Sequence, residues 1–310
     1  MITALCGGVG GSKLILGLYR VSPPDSLSVI VNTADDLEFC GLHVSPDLDT
    51  VTYTLGGMAR HDVGWGVEGD TFQALQMLGR YGVPTWFQVG DRDLATHLYR
   101  TDALRKGQRL TEVTQHLASS LDVRAKILPM SNDPVATQLL VNGEWLDFQD
   151  YFVRRRYRDP VEAVRYQCVE RARPTEQALT AIAGADTIVL VNSNPVLSIL
   201  PLLSLPGLRA ALLASKSPRV AVSPIIGVDA VTGPAGHLMH VIGRPPSPAG
   251  VAQAYADVID GIVIDRADEA QVPALEDLGL RVLCTDILMP DDAARERLAA
   301  ETLEFARTLR

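Results

Sequence analysis

The amino-acid sequence predicts an α/β protein with a Rossmann-like, doubly wound and mostly parallel sheet. The chain opens with a short apolar segment, a glycine-rich run and an apolar helical pattern, which is the order of a strand, a loop and a helix. Short apolar segments then recur, separated by stretches with helical periodicity. Alternation of such segments is typical of parallel sheets covered by helices on both faces.

The first strand and its loop predict a phosphate-binding element. Residues 3–6 are apolar, residues 7–13 read GGVGGSK, and the apolar helical pattern begins at Leu14. A glycine loop between a strand and a helix lets backbone amides approach a phosphate, whose charge suits the helix N-terminus. The second strand is predicted at residues 27–31. The predicted phosphate-binding residues are Gly8, Gly10, Gly11, Ser12 and Lys13.

Neither standard nucleotide fingerprint fits this loop. A Walker loop that starts at Gly7 needs a glycine where Ser12 stands, and a dinucleotide fingerprint needs a third glycine where Lys13 stands. The motif therefore supports neither ATP hydrolysis nor NAD binding. The alternative is a glycine-rich turn that serves only tight helix packing.

The remaining elements complete the sheet and add an insert. Strands are predicted at residues 187–191, 219–222, 261–264 and 281–284, with helices at 267–278 and 291–308. Asn142-Gly143 lies between two apolar segments and is a strong hairpin signal. We expect residues 1–128 and 174–310 to form the Rossmann-like core, and residues 129–173 to form a smaller inserted or capping α+β region.

Composition excludes several classes of function. A hydrophobic content of 47% can build a large core. A net charge of -9 argues against a general nucleic-acid or membrane-surface binder. The four cysteines have no zinc-binding spacing and predict free thiols in a reducing cytoplasm. Polar residues and prolines interrupt the apolar region 187–214, so we do not predict a membrane span there.

Two pairs of aspartates follow the second predicted strand. Asp35 and Asp36 lie just after it, and Asp47 and Asp49 follow within an acidic loop. Magnesium is commonly held by one or two carboxylates, substrate oxygens and water. We therefore predict that some of the four aspartates bind Mg²⁺, and that Asp49 also orients or deprotonates an attacking hydroxyl. The alternative for the Asp47 and Asp49 region is helix capping.

A second cluster of charged residues lies at positions 90–97. Arg92 can make bidentate contacts with phosphate oxygens, and the aspartates on either side of it can fix its orientation. The alternative is a structural salt-bridge turn that opens a helix. His97 is expected to be structural, because a lone histidine at a helix start seldom acts as a base.

Motifs in order along nearly the whole chain resemble the 2-phospho-L-lactate transferase family. They are GGVGGSKL (7–14), VNTADD (31–36), SPDLDTV (45–51), GDRDLATH (90–97), LPMSNDPV (128–135), SNP (193–195), SPIIG (223–227) and GPAG (233–236). The resemblance implies a Mg²⁺-dependent transferase in the biosynthesis of the deazaflavin coenzyme F-420. It would transfer a phospho-acid group from a guanosine diphosphate conjugate to the deazaflavin precursor and release GMP.

The resemblance also implies roles for individual residues. It assigns the deazaflavin or the transferred group to Asp49, Gln88, Arg92 and Thr96, with Asp49 and Arg92 as the catalytic residues. It assigns the guanosine diphosphate to loops that follow the later strands, namely Ser193, Asn194, Pro195, Ser223 and Gly227. A homodimer is the default expectation for such an enzyme.

Two other functions and the identity of the acid stay open at this stage. A related group of proteins binds nucleotide sugars and regulates metabolism without known chemistry, and a nucleotidyltransferase of the same pathway is a further alternative. Lactate, enolpyruvate and glycerate differ by small groups, and the sequence does not fix which of them is transferred.

Overall fold

The computed structural model describes residues 1–23, 25–60, 62–227, 229–230, 235–255 and 257–309. These residues build a seven-stranded sheet at the centre of the molecule. Each of its strands is short, and most of their residues are buried, as expected when helices cover both faces. The strands are β1 (Ile2–Cys6), β2 (Leu27–Val31), β5 (Lys126–Pro129), β9 (Thr187–Leu190), β10 (Arg219–Val222), β13 (Gly261–Asp265) and β14 (Arg281–Thr285).

The order of the strands confirms the predicted doubly wound fold. The sheet runs β14-β13-β10-β9-β1-β2-β5, and every neighbouring pair in it is parallel. The chain first extends the sheet from β1 towards β5 and later extends it from β9 in the opposite direction. The loops after β1 and β9 therefore diverge and leave a crevice at their carboxyl ends, where ligands bind in open α/β sheets.

Helices pack on both faces of the sheet. Side chains of β1 alternate between the faces: Leu5 joins one hydrophobic cluster, while Ala4 and Cys6 join the other. The helices are α1 (Gly8–Val21), α2 (Pro46–Leu55), α3 (Gln73–Arg80), α4 (Asp91–Arg105), α5 (Leu110–Ser120), α6 (Glu176–Ala183), α7 (Leu200–Ser204), α8 (Pro206–Ala214), α9 (Ala235–Val241), α10 (Pro248–Tyr255), α11 (Val272–Glu276) and α12 (Asp292–Arg307). Turns of 3-10 or π type occur at Arg266–Gln271, Asp150–Arg154 and Pro195–Ile199.

The structure corrects three details of the predicted elements. Helix α1 begins at Gly8, so most of the predicted glycine loop is helical. The helix predicted at 267–278 is split into a 3-10 turn and α11, with Pro273 in the first turn of α11. The sequence reading also missed β5, which forms one edge of the main sheet and ends in a proline at position 129.

The predicted hairpin is confirmed, and a third strand completes a small sheet. Antiparallel strands β6 (Ala136–Val141), β7 (Glu144–Asp147) and β8 (Ala163–Gln167) pair in the order β7-β6-β8. Asn142 and Gly143 both have positive φ angles, as a tight hairpin requires. Side chains of this sheet join the main hydrophobic cluster of one face. The division of the chain into two domains stays a prediction.

Two further short hairpins lie outside both sheets. They are β3 (Leu37–Phe39) with β4 (Leu42–Val44), and β11 (Ile225–Ile226) with β12 (Asp229–Ala230). Within the described residues, no single helix is both long and apolar enough to cross a membrane. Two consecutive helical segments, Pro195–Ser204 and Pro206–Ala214, are together long and apolar enough by length and composition only, but they are bent by 82° relative to each other.

Candidate active site

A glycine turn joins β1 to α1 at the point where the sheet changes direction. Gly7 is extended, and Gly8 has a φ of 65° in the left-handed region. The Ser193 hydroxyl, beyond β9, accepts a hydrogen bond from the Gly7 amide at 3.1 Å and donates to the Gly7 carbonyl at 2.6 Å. A Cβ atom added at Gly7 would lie 2.6 Å from a carboxylate oxygen of Asp47. The turn therefore borders an acidic side chain directly.

The predicted phosphate-binding residues divide into packed and accessible ones. A Cβ atom at Gly11 would lie 2.1 Å from the Ser193 hydroxyl, and Ser12 donates to the Val9 carbonyl at 2.8 Å. Both residues are buried and make structural contacts. Gly8, Gly10 and Lys13 are only partly buried. Phosphate binding by this turn stays a prediction, with these three residues in a position to contact a ligand.

Three aspartates, which we call the acid cluster, lie beside the glycine turn: Asp35 and Asp47, which are buried, and Asp36, whose side chain is 13% exposed. Asn32 donates to Asp47 at 3.0 Å and accepts from the Ala34 amide, so it fixes the loop after β2. Asp36 accepts a hydrogen bond from the Ser45 hydroxyl at 2.7 Å, and its carboxylate lies 3.0 Å from the His43 imidazole. Among the described residues, no lysine or arginine lies within ion-pair distance of the acid cluster.

Burial raises the pKa of each carboxyl group in the acid cluster. Loss of hydration is the largest cause for all three. It raises the pKa of Asp47 to about 7, and the neighbouring charge of Asp47 further raises the pKa of Asp35. For Asp36, hydrogen bonding to His43 and Ser45 partly offsets the rise in pKa. A cation at this position would remove the repulsion and compensate for the lost hydration.

The acid cluster has the chemistry of a magnesium site. One carboxylate oxygen of Asp35 and one of Asp36 are buried without a hydrogen-bond partner. Mg²⁺ prefers oxygen ligands and takes one or two carboxylates, with substrate phosphates and water completing its shell. Asp35 and Asp47 are the pair best suited to a cation, because both are buried and their charges repel one another. These residues fit the ion, whose charge would neutralise phosphates bound at the glycine turn.

Asp49, the fourth predicted aspartate, has a different environment. It lies in the first turn of α2, where the buried Arg100 of α4 donates to both of its carboxylate oxygens, one at 3.1 Å. Helix capping does not explain this region. Ser45 is the N-cap residue, but its hydroxyl bonds to Asp36 instead of to a helix amide.

A buried polar network extends from the Asp49–Arg100 pair along α4. The His97 imidazole lies 3.3 Å from the Arg100 guanidinium through Nδ1 and 3.2 Å from Asp93 through Nε2. The Tyr53 hydroxyl donates to Asp93 and lies 2.8 Å from the Thr96 hydroxyl. Burial raises the pKa of Tyr53, so its phenol stays protonated. His97 is buried within this network, and its structural role stays a prediction.

This network also contains a possible metal-ligand group. Asp49, Asp93 and His97 place one ligand atom each within 4.8 Å of one another. The guanidinium of Arg100 already bonds to both oxygens of Asp49. The Arg100 guanidinium therefore already supplies a positive charge beside Asp49. This favours the acid cluster as the magnesium site.

Sequence reasoning missed the contribution of Arg100 and Tyr53. A signal was present on α4, since Asp93, His97 and Arg100 recur at spacings of four and three residues and share one helix face. Such a polar face on a helix of low hydropathy would have indicated a polar network. In the structure all three residues are buried.

Arg92 and Gln88 lie at the surface, away from this buried network. Arg92 donates to the Glu68 carbonyl at 3.1 Å, and Gln88 donates to the Thr85 carbonyl at 3.0 Å. The neighbouring aspartates do not orient Arg92 as expected: Asp91 accepts amide hydrogen bonds at the start of α3, and Asp93 belongs to the buried network. A cleft of about 360 Å³ lies next to Arg92. Its walls are formed by Arg60, Asp62, Glu68, Gly69, Asp70 and Phe72.

The predicted nucleotide loops end the strands on the other side of the crevice. The side chain of Asn194 accepts from the Val196 and Leu197 amides at 3.0 Å and so caps the turn that Pro195 begins. The Ser223 hydroxyl accepts from the Ile225 amide at 3.1 Å. These side chains therefore shape the loops, and nucleotide binding by them stays a prediction. The predicted residues Gly233 and Pro234 lie outside the described residues.

Gly227 ends the same loop and is held by an aspartate that sequence reasoning missed. Its φ is 65°, and its amide donates to the buried carboxylate of Asp268 at 3.0 Å. Asp268 also accepts from Gln271 at 2.7 Å. The loop after β10 is thus fixed to the segment that follows β13.

A family model described as 2-phospho-L-lactate transferase CofD matches residues 2–288. The chain belongs to this family. Curated relatives carry two names. A phosphoenolpyruvate transferase of Streptomyces griseus is 39% identical over 100% of this chain and 99% of its own length. A 2-phospho-L-lactate transferase of Methanospirillum hungatei is 40% identical over 98% of this chain and 99% of its own length.

A solved structure supports the fold of this CofD family member. A protein of the UPF0052 family from Bacillus halodurans superposes with a TM-score of 0.66 and covers 97% of this chain and 98% of its own. The two sequences are 17% identical, so the likeness concerns the fold alone. The family and the names of its relatives support a transferase, as the sequence motifs predicted.

Proposed function

We propose that this protein transfers a phospho-acid group, phospholactyl or phosphoenolpyruvyl, from its guanosine diphosphate conjugate to a deazaflavin. The acceptor would be the terminal ribityl hydroxyl of 7,8-didemethyl-8-hydroxy-5-deazariboflavin, with release of GMP in coenzyme F-420 biosynthesis. One observation supports this most: in a chain of the CofD family, the acid cluster lies against the glycine turn at the switch point of the sheet. Carboxylates that would bind Mg²⁺ then lie beside a helix N-terminus, whose charge suits phosphate, which supports the proposal.

The proposed reaction forms one phosphorus–oxygen bond and breaks another. The acceptor hydroxyl oxygen attacks the phosphorus next to the acid, the bond to the GMP oxygen breaks, and the hydroxyl proton passes by way of Asp49 to water. Such transfers depend mainly on alignment and charge neutralisation. Asp35 and Asp47 would hold Mg²⁺ near the diphosphate, and Asp49 would accept a hydrogen bond from the acceptor hydroxyl. Arg92 and Gln88 would contact the deazaflavin or the transferred group from the surface side, and Thr96 from within the buried network.

The loops on the other side of the crevice would bind the nucleotide. Ser193, Asn194, Pro195, Ser223 and Gly227 lie in the loops that follow β9 and β10, at the sheet edge where open α/β folds bind ligands. We further propose a cytoplasmic homodimer that acts on these small molecules and has neither a nucleic-acid nor a membrane partner. The negative net charge supports the last point.

A turnover assay read by mass spectrometry tests this function. The deazaflavin precursor is offered with guanosine diphosphate conjugates of phospholactate, phosphoenolpyruvate and phosphoglycerate in parallel, with Mg²⁺ or with a chelator. We expect a phospho-acid deazaflavin and an equal amount of GMP from one donor, only with Mg²⁺. No product from any donor, together with saturable binding of a nucleotide sugar, would contradict the proposal and favour a regulatory binding protein.

A further inference from the structure

We propose that Arg100 is a positioning residue, which holds the Asp49 carboxylate in the one orientation that receives the acceptor hydroxyl. This inference rests on the proposed function for the identity of the acceptor. Arg100 itself is 1% exposed, whereas Asp49 keeps slightly more exposure, 6%. Arg100 would therefore act through Asp49 and would not touch the substrate.

The geometry of the pair fixes the carboxylate plane. Two terminal nitrogens of the guanidinium donate to the two different oxygens of Asp49. A planar fork of this kind restricts rotation of the carboxylate, which a lysine ammonium cannot do because it acts as a point charge. Each carboxylate oxygen keeps acceptor capacity after bonding to arginine. Asp49 can therefore remain ionised and still accept a hydrogen bond from a substrate hydroxyl.

The rest of the network holds Arg100 in place. One of its terminal nitrogens also lies 3.5 Å from the His43 carbonyl and 3.3 Å from Nδ1 of His97. An imidazole nitrogen that faces a guanidinium must be the unprotonated one, so the ring proton of His97 lies on Nε2, facing Asp93. Tyr53 then bonds to Asp93 from α2, the helix that carries Asp49. The network thus links α2, α4 and the β3–β4 hairpin around one carboxylate.

A role in orientation explains a buried ion pair better than a role in stability. Removing two charges from water costs about as much as their attraction returns, and apolar residues would fill the space at least as well. The pair is also set apart from the acid cluster, because the Arg100 guanidinium already supplies a positive charge beside both oxygens of Asp49. We therefore assign Asp49 to the acceptor, and we assign the metal to the acid cluster.

The first test replaces Arg100 by lysine, which keeps the charge and loses the fork. By calorimetric titration, Arg100→Lys should weaken binding of the deazaflavin precursor about tenfold, and kcat should fall by at least as much. The KM for the guanosine diphosphate conjugate should change less than about twofold, because the nucleotide loops are untouched. The matched control is Arg105→Lys, an exposed residue on α4 whose guanidinium donates to the Gly41 carbonyl at 2.9 Å.

A double-mutant cycle separates positioning from a merely structural role. If Arg100 acts through Asp49, Arg100→Gln will lower acceptor affinity in the wild-type background and will have no further effect beside Asp49→Asn. Equal losses in both backgrounds, or an equal loss of donor affinity, would overturn the proposal. Thermal unfolding is recorded for every variant. The double variant carries neither charge, so it reports on acceptor binding even where Arg100→Gln alone does not fold.

The two proposals can fail separately. Wild-type protein that binds no deazaflavin precursor overturns the proposed function, and the role of Arg100 falls with it. Wild-type binding that Arg100→Lys leaves unchanged overturns only the role of Arg100.

Discussion

The acid cluster and the Asp49–Arg100 pair lie within one short part of the chain and have opposite electrostatics. Asp35, Asp36 and Asp47 lie together at low exposure, with no arginine or lysine within ion-pair distance among the described residues, and loss of hydration raises the pKa of each. Asp49 is only two residues beyond Asp47 but forms a buried ion pair with Arg100.

The difference shows that residue type and spacing do not set the role of a carboxylate. A carboxylate that lacks a cation is suited to bind one, and a carboxylate that already has one is suited to accept a hydrogen bond in a fixed geometry. The helical twist of α2 separates the two: Asp47 faces the glycine turn, and Asp49 faces α4.

The largest expected effect comes from breaking the ion pair. Asp49→Asn leaves the Arg100 guanidinium buried without a counter-charge, so the free energy of unfolding should fall by about 3–5 kcal/mol. Turnover should fall at least about 100-fold through loss of the group that orients the hydroxyl. Chemical unfolding and the mass-spectrometric assay measure the two effects. The control is Asp102→Asn, which removes an exposed ion pair with Lys106 on α4 and should change stability by less than about 1 kcal/mol. Near-normal turnover of Asp49→Asn would refute its role.

The acid cluster should make the metal-free protein less stable as pH rises. Burial raises the pKa of Asp47 from its ordinary value of 3.8 to about 7, so between these two pH values the folded state retains a proton that the unfolded state loses. Stability is therefore fully present below pH 4 and decreases towards pH 7, by about 2 kcal/mol between pH 5 and pH 7 from this group alone.

Chemical unfolding in the presence of a chelator tests this pH dependence. Asp47→Asn should flatten the decrease, whereas Asp102→Asn should not, because Asp102 is largely exposed. An identical pH profile for Asp47→Asn and the wild type would show that ionisation of Asp47 does not lower the stability of the folded protein.

Close packing at the glycine turn supports the acid-cluster side of the site. Gly11→Ala would gain helix propensity on α1, but its Cβ atom would lie 2.1 Å from the Ser193 hydroxyl. We expect a net loss of about 1–3 kcal/mol in the free energy of unfolding. Gly79→Ala on α3 is the control, since its Cβ atom would meet only a threonine methyl at 3.2 Å. Equal effects of the two substitutions would indicate a loose turn.

Arg92 belongs neither to the acid cluster nor to the Asp49–Arg100 pair, so we expect its substitution to have the smallest effect. Arg92→Ala removes an exposed side chain that contacts the Glu68 carbonyl. We expect the KM for one substrate to rise about tenfold, or about 1.4 kcal/mol, with little change in stability. Exposed Arg80→Ala on α3 serves as the control. Unchanged affinity for both substrates would remove Arg92 from the site.

Much of the fold follows from the local pattern of the sequence. Strands β2 and β10 have their predicted bounds, and α12 differs from its prediction by one residue at each end. Its N-cap residue Asp291 accepts a hydrogen bond from the Ala294 amide, as local chemistry favours. The start of α1 at Gly8 could not be read locally, because it depends on contacts with Ser193 across the switch point.

The candidate site was predictable in composition but not in arrangement. The sequence grouped Asp35, Asp36, Asp47 and Asp49, since all four follow one strand. Their separation depends on Arg100, which is 51 residues from Asp49 in sequence. Contacts at that distance are set by the packing of α2 against α4, which no periodicity in a single segment encodes.

Magnesium-dependent thermal unfolding of Asp47→Asn and Asp49→Asn, side by side in the presence of GDP, tests the division of the aspartates most directly. A ligand that binds only the folded state raises the melting temperature, and the rise grows with the logarithm of ligand concentration over Kd. We predict that Mg²⁺ stabilises the wild type and Asp49→Asn to a similar degree and has little effect on Asp47→Asn. Loss of the magnesium effect in Asp49→Asn, with its retention in Asp47→Asn, would contradict the account.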